Sequence, residues 1–197
     1  MRMLKCAWIA AAAAVLVGGG LAACARQTRS SLPARSEEPG NVSSYSVYDL
    51  GSSWADQRGD TVTLHSLVGK PVVLGLIYTR CASTCPLIVE AMRRMEAQAA
   101  DARLVLVSLD PSHDDAERLA TYARVHELDE RWTLLSGDAD GVQELTALLG
   151  ARYRRVSATE IAHTNTITVL DANGRIVGQQ PSWDTQSALA AVAAARH

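Results

Sequence analysis

Two cysteines four residues apart, Cys81 and Cys85 in the run YTRCASTCPLIV, are the residues of this chain best placed to do chemistry. Proline favours the first turn of a helix and pushes the residue before it to extended geometry. Cys85, which precedes Pro86, is therefore expected to cap a helix, with Cys81 in the loop above it. Thiols at a helix N-terminus face backbone N–H groups and the positive end of the helix dipole, which lower the thiol pKa and favour thiolate. Such a pair can attack a disulfide or ligate a metal. As a staple it would close only a very short loop, with little entropic gain and considerable strain.

Spacing separates these chemistries only in part. Thiol-disulfide oxidoreductases of the thioredoxin fold favour two residues between the cysteines, whereas Ala82, Ser83 and Thr84 stand between them here. Two thiolates suit a soft ion, with Cu(I) the usual candidate, while Zn(II) wants four donors. A third ligand is then expected among the 5 histidines. His126, in a charged helical stretch, reads as surface; His197 is the last residue; His65, in TVTLHSL, reads as structural on a strand face; His113, in DPSHDD, reads as a solvated loop residue. His163, in EIAHTNTITVLD, is placed at the opening of the first strand of a terminal hairpin, near the helix end that bears the cysteines, and is the expected third ligand. Asp110 reads as the end of a strand and Asp114 as a helix cap.

The elements that must hold these residues follow from periodicity. KPVVLGLIY, Lys70 to Tyr78, is a continuous apolar run too short for a helix and rich in β-branched residues, which suits a strand covered on both faces. It leads straight into the cysteines. After Pro86, LIVEAMRRMEAQAA places Leu87, Ile88, Ala91, Met92 and Met95 on one helical face. RLVLVSLD and DDAERLATYARVHEL, then RWTLLSG and ADGVQELTALLGARY, repeat strand and helix. TNTITVLDANGRIVGQQ reads as a hairpin turning at Asp171 to Gly174, and DTQSALAAVAAARH as a closing helix. Upstream, VYDLGSSWADQRGDTVTLHSL reads as a hairpin turning at Gln57 to Asp60. The expected fold is α/β: a thioredoxin-like sandwich with a mixed central β-sheet flanked by helices and an N-terminal β-hairpin.

The chain of 197 residues, 48% hydrophobic and 20% charged, fits one globular domain plus an extension. A formal net charge of -2 with no long basic run excludes nucleic acid as an expected partner. Residues 1–24 differ: Arg2 and Lys5 precede the apolar run CAWIAAAAAVLVGGGLAAC, which reads as an export signal. Its end, LAAC at Leu21 to Cys24, resembles the lipobox of bacterial lipoproteins, in which the cysteine is lipidated and becomes the mature N-terminus. Residues 25–46 read as a flexible tether reaching roughly 25 Å, and residues 47–197 as the folded domain. The expected location is extracytoplasmic, on a lipid anchor at a bacterial membrane. Since Cys6 lies in the signal and Cys24 in the lipobox, Cys81 and Cys85 are the only cysteines of the exported domain. A lone pair in an oxidising compartment is ordinarily a disulfide, but so tight a loop favours a functional pair.

Three segments together carry a family resemblance: GKPVVLGLIYTRCASTCP, VSLDPSHDDAE and HTNTITVLDANGRIV. They are similar to the strand and C-x-x-x-C-P loop, the Asp-Pro segment, and the histidine with closing hairpin of the Sco/SenC family, copper chaperones for cytochrome c oxidase assembly. The resemblance covers nearly all of Tyr48 to His197. Ala82 stands where the family usually has proline, and the chain has no phenylalanine. The resemblance implies that Cys81, Cys85 and His163 bind copper, as Cu(I) or Cu(II), and that the chain is a metallochaperone and not an enzyme. It also implies a partner in the oxidase subunit that carries the binuclear copper centre, beside other copper chaperones or thiol reductants. The alternative is a thiol-disulfide oxidoreductase that keeps a client's cysteines reduced, with Cys81 attacking and Cys85 resolving; no nicotinamide or flavin fingerprint accompanies it.

Overall fold

The computed structural model describes residues 45–196; the expected signal segment 1–24 with Cys24, the tether up to residue 44, and His197 lie outside them. A 3-10 turn at Val47–Asp49 opens the described chain. β1 (Ser53–Asp56) and β2 (Thr61–Thr63) then form the expected antiparallel hairpin. Its turn is organised by buried Asp56, whose carboxylate accepts from the backbone N–H groups of Arg58 and Asp60. Next come β3 (Val72–Ile77), α1 (Cys85–Met95), β4 (Arg103–Ser108), α2 (Ala116–Val125), β5 (Trp132–Ser136) and α3 (Ala139–Leu148). A small pair, β6 (Tyr153–Arg155) and β7 (Ile161–His163), precedes β8 (Thr166–Leu170), β9 (Ile176–Pro181) and α4 (Thr185–Ala194).

Seven strands make one mixed sheet in the order β2-β1-β5-β4-β3-β8-β9. β3, β4 and β5 run parallel; β8 returns antiparallel to β3, and β1 antiparallel to β5. This is the thioredoxin-like sandwich that the strand and helix periods lead one to expect. α1 packs on β3 and β8 and touches α4, while α2 covers β5 and β1. Every residue of β3 is buried, which is why its sequence shows no alternation. Gly75 at its middle admits α1 closely: a Cβ there would lie 2.9 Å from Ile88 Cγ2 and 3.0 Å from Met92 Sδ. Gly174, at φ +80, makes the turn between β8 and β9 and accepts the Val47 N–H at its carbonyl, fastening the start of the domain. No helix among the described residues is long and apolar enough to cross a membrane.

Three expectations about local structure need correction. Cys85 is the first helical residue of α1 and Thr84 the position before it, in helical conformation. The Cys85 N–H bonds to the Cys81 sulfur and its side chain is fully buried, and these contacts override the local preference for extended geometry before proline. α1 directs Ile88, Val89, Met92 and Met95 inward; Leu87 falls off that stripe and is 64% exposed. His163 ends β7 in a separate two-stranded sheet and does not open the terminal hairpin. All three residues of β6 are exposed, so no burial pattern announced that pair.

Candidate metal centre

The site is assembled where β3 runs into α1. After Ile77 the chain passes through Tyr78, Thr79 and Arg80, and the Cys81 N–H returns to the Tyr78 carbonyl at 3.1 Å, closing a tight turn. The Cys85 N–H then donates to Cys81 Sγ at 3.3 Å, so the first turn of α1 lies directly against the sulfur. His163 arrives from β7 with Nε2 3.7 Å from Cys85 Sγ. The three donor atoms all lie within 4.8 Å of one another, and no other such group of three occurs among the described residues. The Tyr78 ring meets the imidazole edge-on, with centroids 6.1 Å apart.

Each donor is in a distinct state. Burial alone would raise the Cys81 thiol. The Cys85 thiol, the backbone N–H groups of Cys85 and Ser83, and the Thr84 hydroxyl together outweigh it and bring Cys81 down to about 6. Cys85 moves the other way: burial, reinforced by the Cys81 thiolate, holds its proton well above the ordinary thiol range. Both are free thiols. Burial lowers the His163 pKa below the ordinary 6.5, so the imidazole is neutral near neutral pH. Its Nδ1–H donates to the Thr164 carbonyl at 3.0 Å, which leaves the Nε2 lone pair facing the sulfurs.

Two thiols and one imidazole form a soft-to-borderline donor set. Two metal–thiolate bonds of about 2.3 Å span at most about 4.6 Å, so atoms this close can share one ion after small adjustments. Three donors fall short of the four that a structural zinc site takes. The set fits a soft ion such as Cu(I), with the imidazole also acceptable to Cu(II).

Beneath the site lies a buried acidic network that the sequence did not disclose. Asp114 caps nothing; Asp115 is the N-cap of α2. Buried Asp114 instead accepts from Thr79 N–H at 2.9 Å, Thr79 Oγ1 at 2.5 Å and Ser108 Oγ at 2.5 Å, tying the cysteine loop to the end of β4. Asp110, also fully buried, accepts from Arg80 and Arg155, each at 2.5 Å, and from Ser112. It therefore joins the cysteine loop to the strand paired with the one that carries His163. Burial opposes its charge, but the two guanidinium groups and Ser112 prevail and hold its pKa at about 2. The doubled Asp114 and Asp115 were a usable signal, since a helix has one N-cap and the second carboxylate needed another task.

Among the described residues, His65, His113 and His126 do not join the sulfurs. His65 is exposed in a 3-10 turn, Leu64–Leu67, and not on a strand face. His126 is half-buried, stacked on Tyr122 with centroids 4.1 Å apart, and is not a free surface residue. His113 lines a cleft of about 490 Å³ along α2 beside Thr79 and His126.

Comparison with known proteins places this geometry in context. The family model described as SCO1/SenC matches residues 48–196. The SCO1 protein homolog of Bacillus subtilis is 23% identical over 133 residues, covering 64% of this chain and 69% of the relative. The copper-bound structure of Bradyrhizobium japonicum ScoI is 26% identical with a TM-score of 0.59, over 74% of this chain and 95% of that one. A SCO1/SenC family lipoprotein from Bacillus anthracis shares the fold at a TM-score of 0.68 and 19% identity, over 76% of this chain and 96% of that one.

Proposed function

The chain belongs to the SCO1/SenC family, and from that membership we propose that it is a copper metallochaperone whose cargo is held by Cys81, Cys85 and His163. The observation that carries this reading is the convergence of the three donor atoms within 4.8 Å. The cargo enters at a reduced pair: Cys81 is already largely thiolate at neutral pH, and Cys85 gives up its proton when a cation replaces it. Neutral His163 completes the set without losing a proton. Sulfur favours Cu(I) and the imidazole extends the site to Cu(II). Ligand exchange then passes copper to the binuclear copper centre of cytochrome c oxidase. Cys24, lipidated at the membrane outside the cytoplasm, would anchor the domain through the residue 25–46 tether.

Competitive Cu(I) titration and direct Cu(II) titration of the reduced protein test the reading, beside Cys81→Ser, Cys85→Ser and His163→Ala. One-to-one binding weakened by all three changes is the expected result. Binding indifferent to His163→Ala would remove the three-donor site. A second reading, thiol-disulfide oxidoreductase, is favoured by one observation: Cys81 is acidified while Cys85 keeps its proton, as an attacking and a resolving thiol would. That reading predicts disulfide reductase activity that survives His163→Ala.

A further inference from the structure

We propose that Arg155 is a positioning residue of the copper site: through buried Asp110 it holds His163 against the sulfurs, and so sets how well the site keeps Cu(II) beside Cu(I). The inference rests on the copper reading and deepens it by naming what fixes the third donor.

The register of the β6–β7 pair sets Tyr153 opposite His163, Arg154 opposite Ala162 and Arg155 opposite Ile161. Residues opposite one another share a face, and neighbours along a strand alternate. Tyr153, Arg155, Ile161 and His163 therefore stand on one face, with Arg154 and Ala162 on the other. The first face is turned toward the body of the domain: Ile161 is buried and His163 half-buried, whereas Ala162 is exposed. From that face Arg155 Nη2 donates to Asp110 Oδ1 at 2.5 Å, while Arg80 Nη2 donates to Asp110 Oδ2 at 2.5 Å. Each oxygen of one carboxylate thus takes a guanidinium, one from the residue before Cys81 and one from the strand paired with that of His163.

An ion pair between two exposed side chains contributes little. Here the Arg155 side chain is 42% exposed but its partner is 0% exposed, so losing Arg155 leaves a buried carboxylate short of a partner. The hairpin has few other ties. Its strands are three residues each, and a lone two-stranded pair is marginally stable. Among the described residues, Arg155 to Asp110 is the one ion pair that it makes with the rest of the domain. Burial of Ile161 holds the hairpin down without direction, whereas the ion pair fixes where it lies relative to the cysteine loop. The donor chemistry then decides which ion is affected. Two thiolates satisfy Cu(I), while Cu(II) calls on the imidazole. A hairpin freed from Asp110 leaves the sulfurs in place, because Arg80 stays bound, and releases Nε2 from its position 3.7 Å from Cys85 Sγ.

The test compares the full chain with Arg155→Met, Arg155→Lys and Arg154→Met, by competitive Cu(I) titration, direct Cu(II) titration and electron paramagnetic resonance of the Cu(II) form. Methionine keeps an apolar stem and removes the charge, while lysine can supply the single N–H that Asp110 Oδ1 receives. Arg155→Met should weaken Cu(II) about 10–100-fold, the range for a lost outer contact to a metal site, and Cu(I) by less than about threefold. Its resonance should lose the nitrogen coupling of the imidazole, and Arg155→Lys should restore part of both. Arg154→Met, on the far face, should match the parent. In the metal-free chains the Thr164 amide, bonded to the Arg152 carbonyl at 3.0 Å, should exchange with solvent faster in Arg155→Met than in the parent or Arg154→Met. Thermal melting checks that the variants fold. A parent that binds both ions while Arg155→Met keeps its Cu(II) affinity, or loses both ions alike without rescue by lysine, overturns the proposal alone. A parent that binds neither ion sinks the copper reading and the proposal with it, so the two failures are told apart.

Discussion

The sulfurs and the imidazole come from regions built in opposite ways. Cys81 and Cys85 hang between β3, whose residues are all buried, and α1, which buries Cys85, Ile88, Val89, Ala91, Met92 and Met95. His163 rides on two strands of three residues each, with β6 wholly exposed. The hairpin is fastened to the body by buried Ile161 and by the Arg155 to Asp110 ion pair. The sulfur positions are therefore as firm as the domain itself, while the imidazole position depends on one apolar plug and one carboxylate. A carrier benefits from that asymmetry, because a donor that can be moved lets a tightly held cargo go.

The largest expected contrast is in stability. Met92→Ala, fully buried where α1 packs on β3, should cost about 2–5 kcal/mol, read by urea unfolding. Tyr153→Ala on the hairpin should stay within about 0.5 kcal/mol. Equal costs would break the comparison. Next comes copper affinity: Cys85→Ala should lower it more than about hundredfold, beyond the range seen on losing outer contacts to a metal site. His163→Ala should weaken Cu(I) less than Cu(II), since sulfur supplies most of the Cu(I) grip. A site that lost both ions equally on His163→Ala would make the imidazole as essential as the thiols.

Asp110→Asn sharpens the comparison at the joint between the regions. It leaves Arg80 and Arg155 against a neutral amide and should cost about 1–3 kcal/mol. The Asp110 pKa, lowered from 3.8 to about 2, means that its charge adds stability fully present above the unfolded value. That stability is lost as pH falls through about 2, so the variant should show a flatter acid limb in pH-dependent unfolding. The smallest effect expected is kinetic. Alkylation of Cys81 by iodoacetamide should rise with a midpoint near pH 6, because its thiolate appears above its lowered pKa of about 6. Cys85, raised by burial, should react only at higher pH, and Cys85→Ala should move the Cys81 midpoint upward. A Cys81 midpoint at the ordinary 9.0 would remove the asymmetry between the thiols.

Much of the frame was legible because local periodicity reports burial. The unbroken apolar run of β3, the helical stripe after Pro86 and the glycine turn at Gly174 each need only a few consecutive residues to be read. The chemical character of Cys81 and Cys85 was legible for the same reason, since their interaction with the first turn of α1 is local. The β6–β7 pair was not, because a fully exposed strand carries no alternation. Leu87 was misplaced because it lies at the edge of the apolar stripe, about 100° from Ile88 in a 3.6-residue period, and Val89 on the other edge is the residue that packs inward.

By itself, then, the sequence determined the order of the main sheet's strands and of the helices, the thiol pair and the type of donor that could join it. Tertiary structure alone decided that His163 meets Cys85 across 78 residues of chain. It also decided that Asp114 lies under the cysteine loop and that Asp110 couples that loop to the hairpin. The reason is physical: a side chain's polarity and spacing fix whether its face is buried, whereas the partner of a polar group depends on which distant segment the fold brings against it.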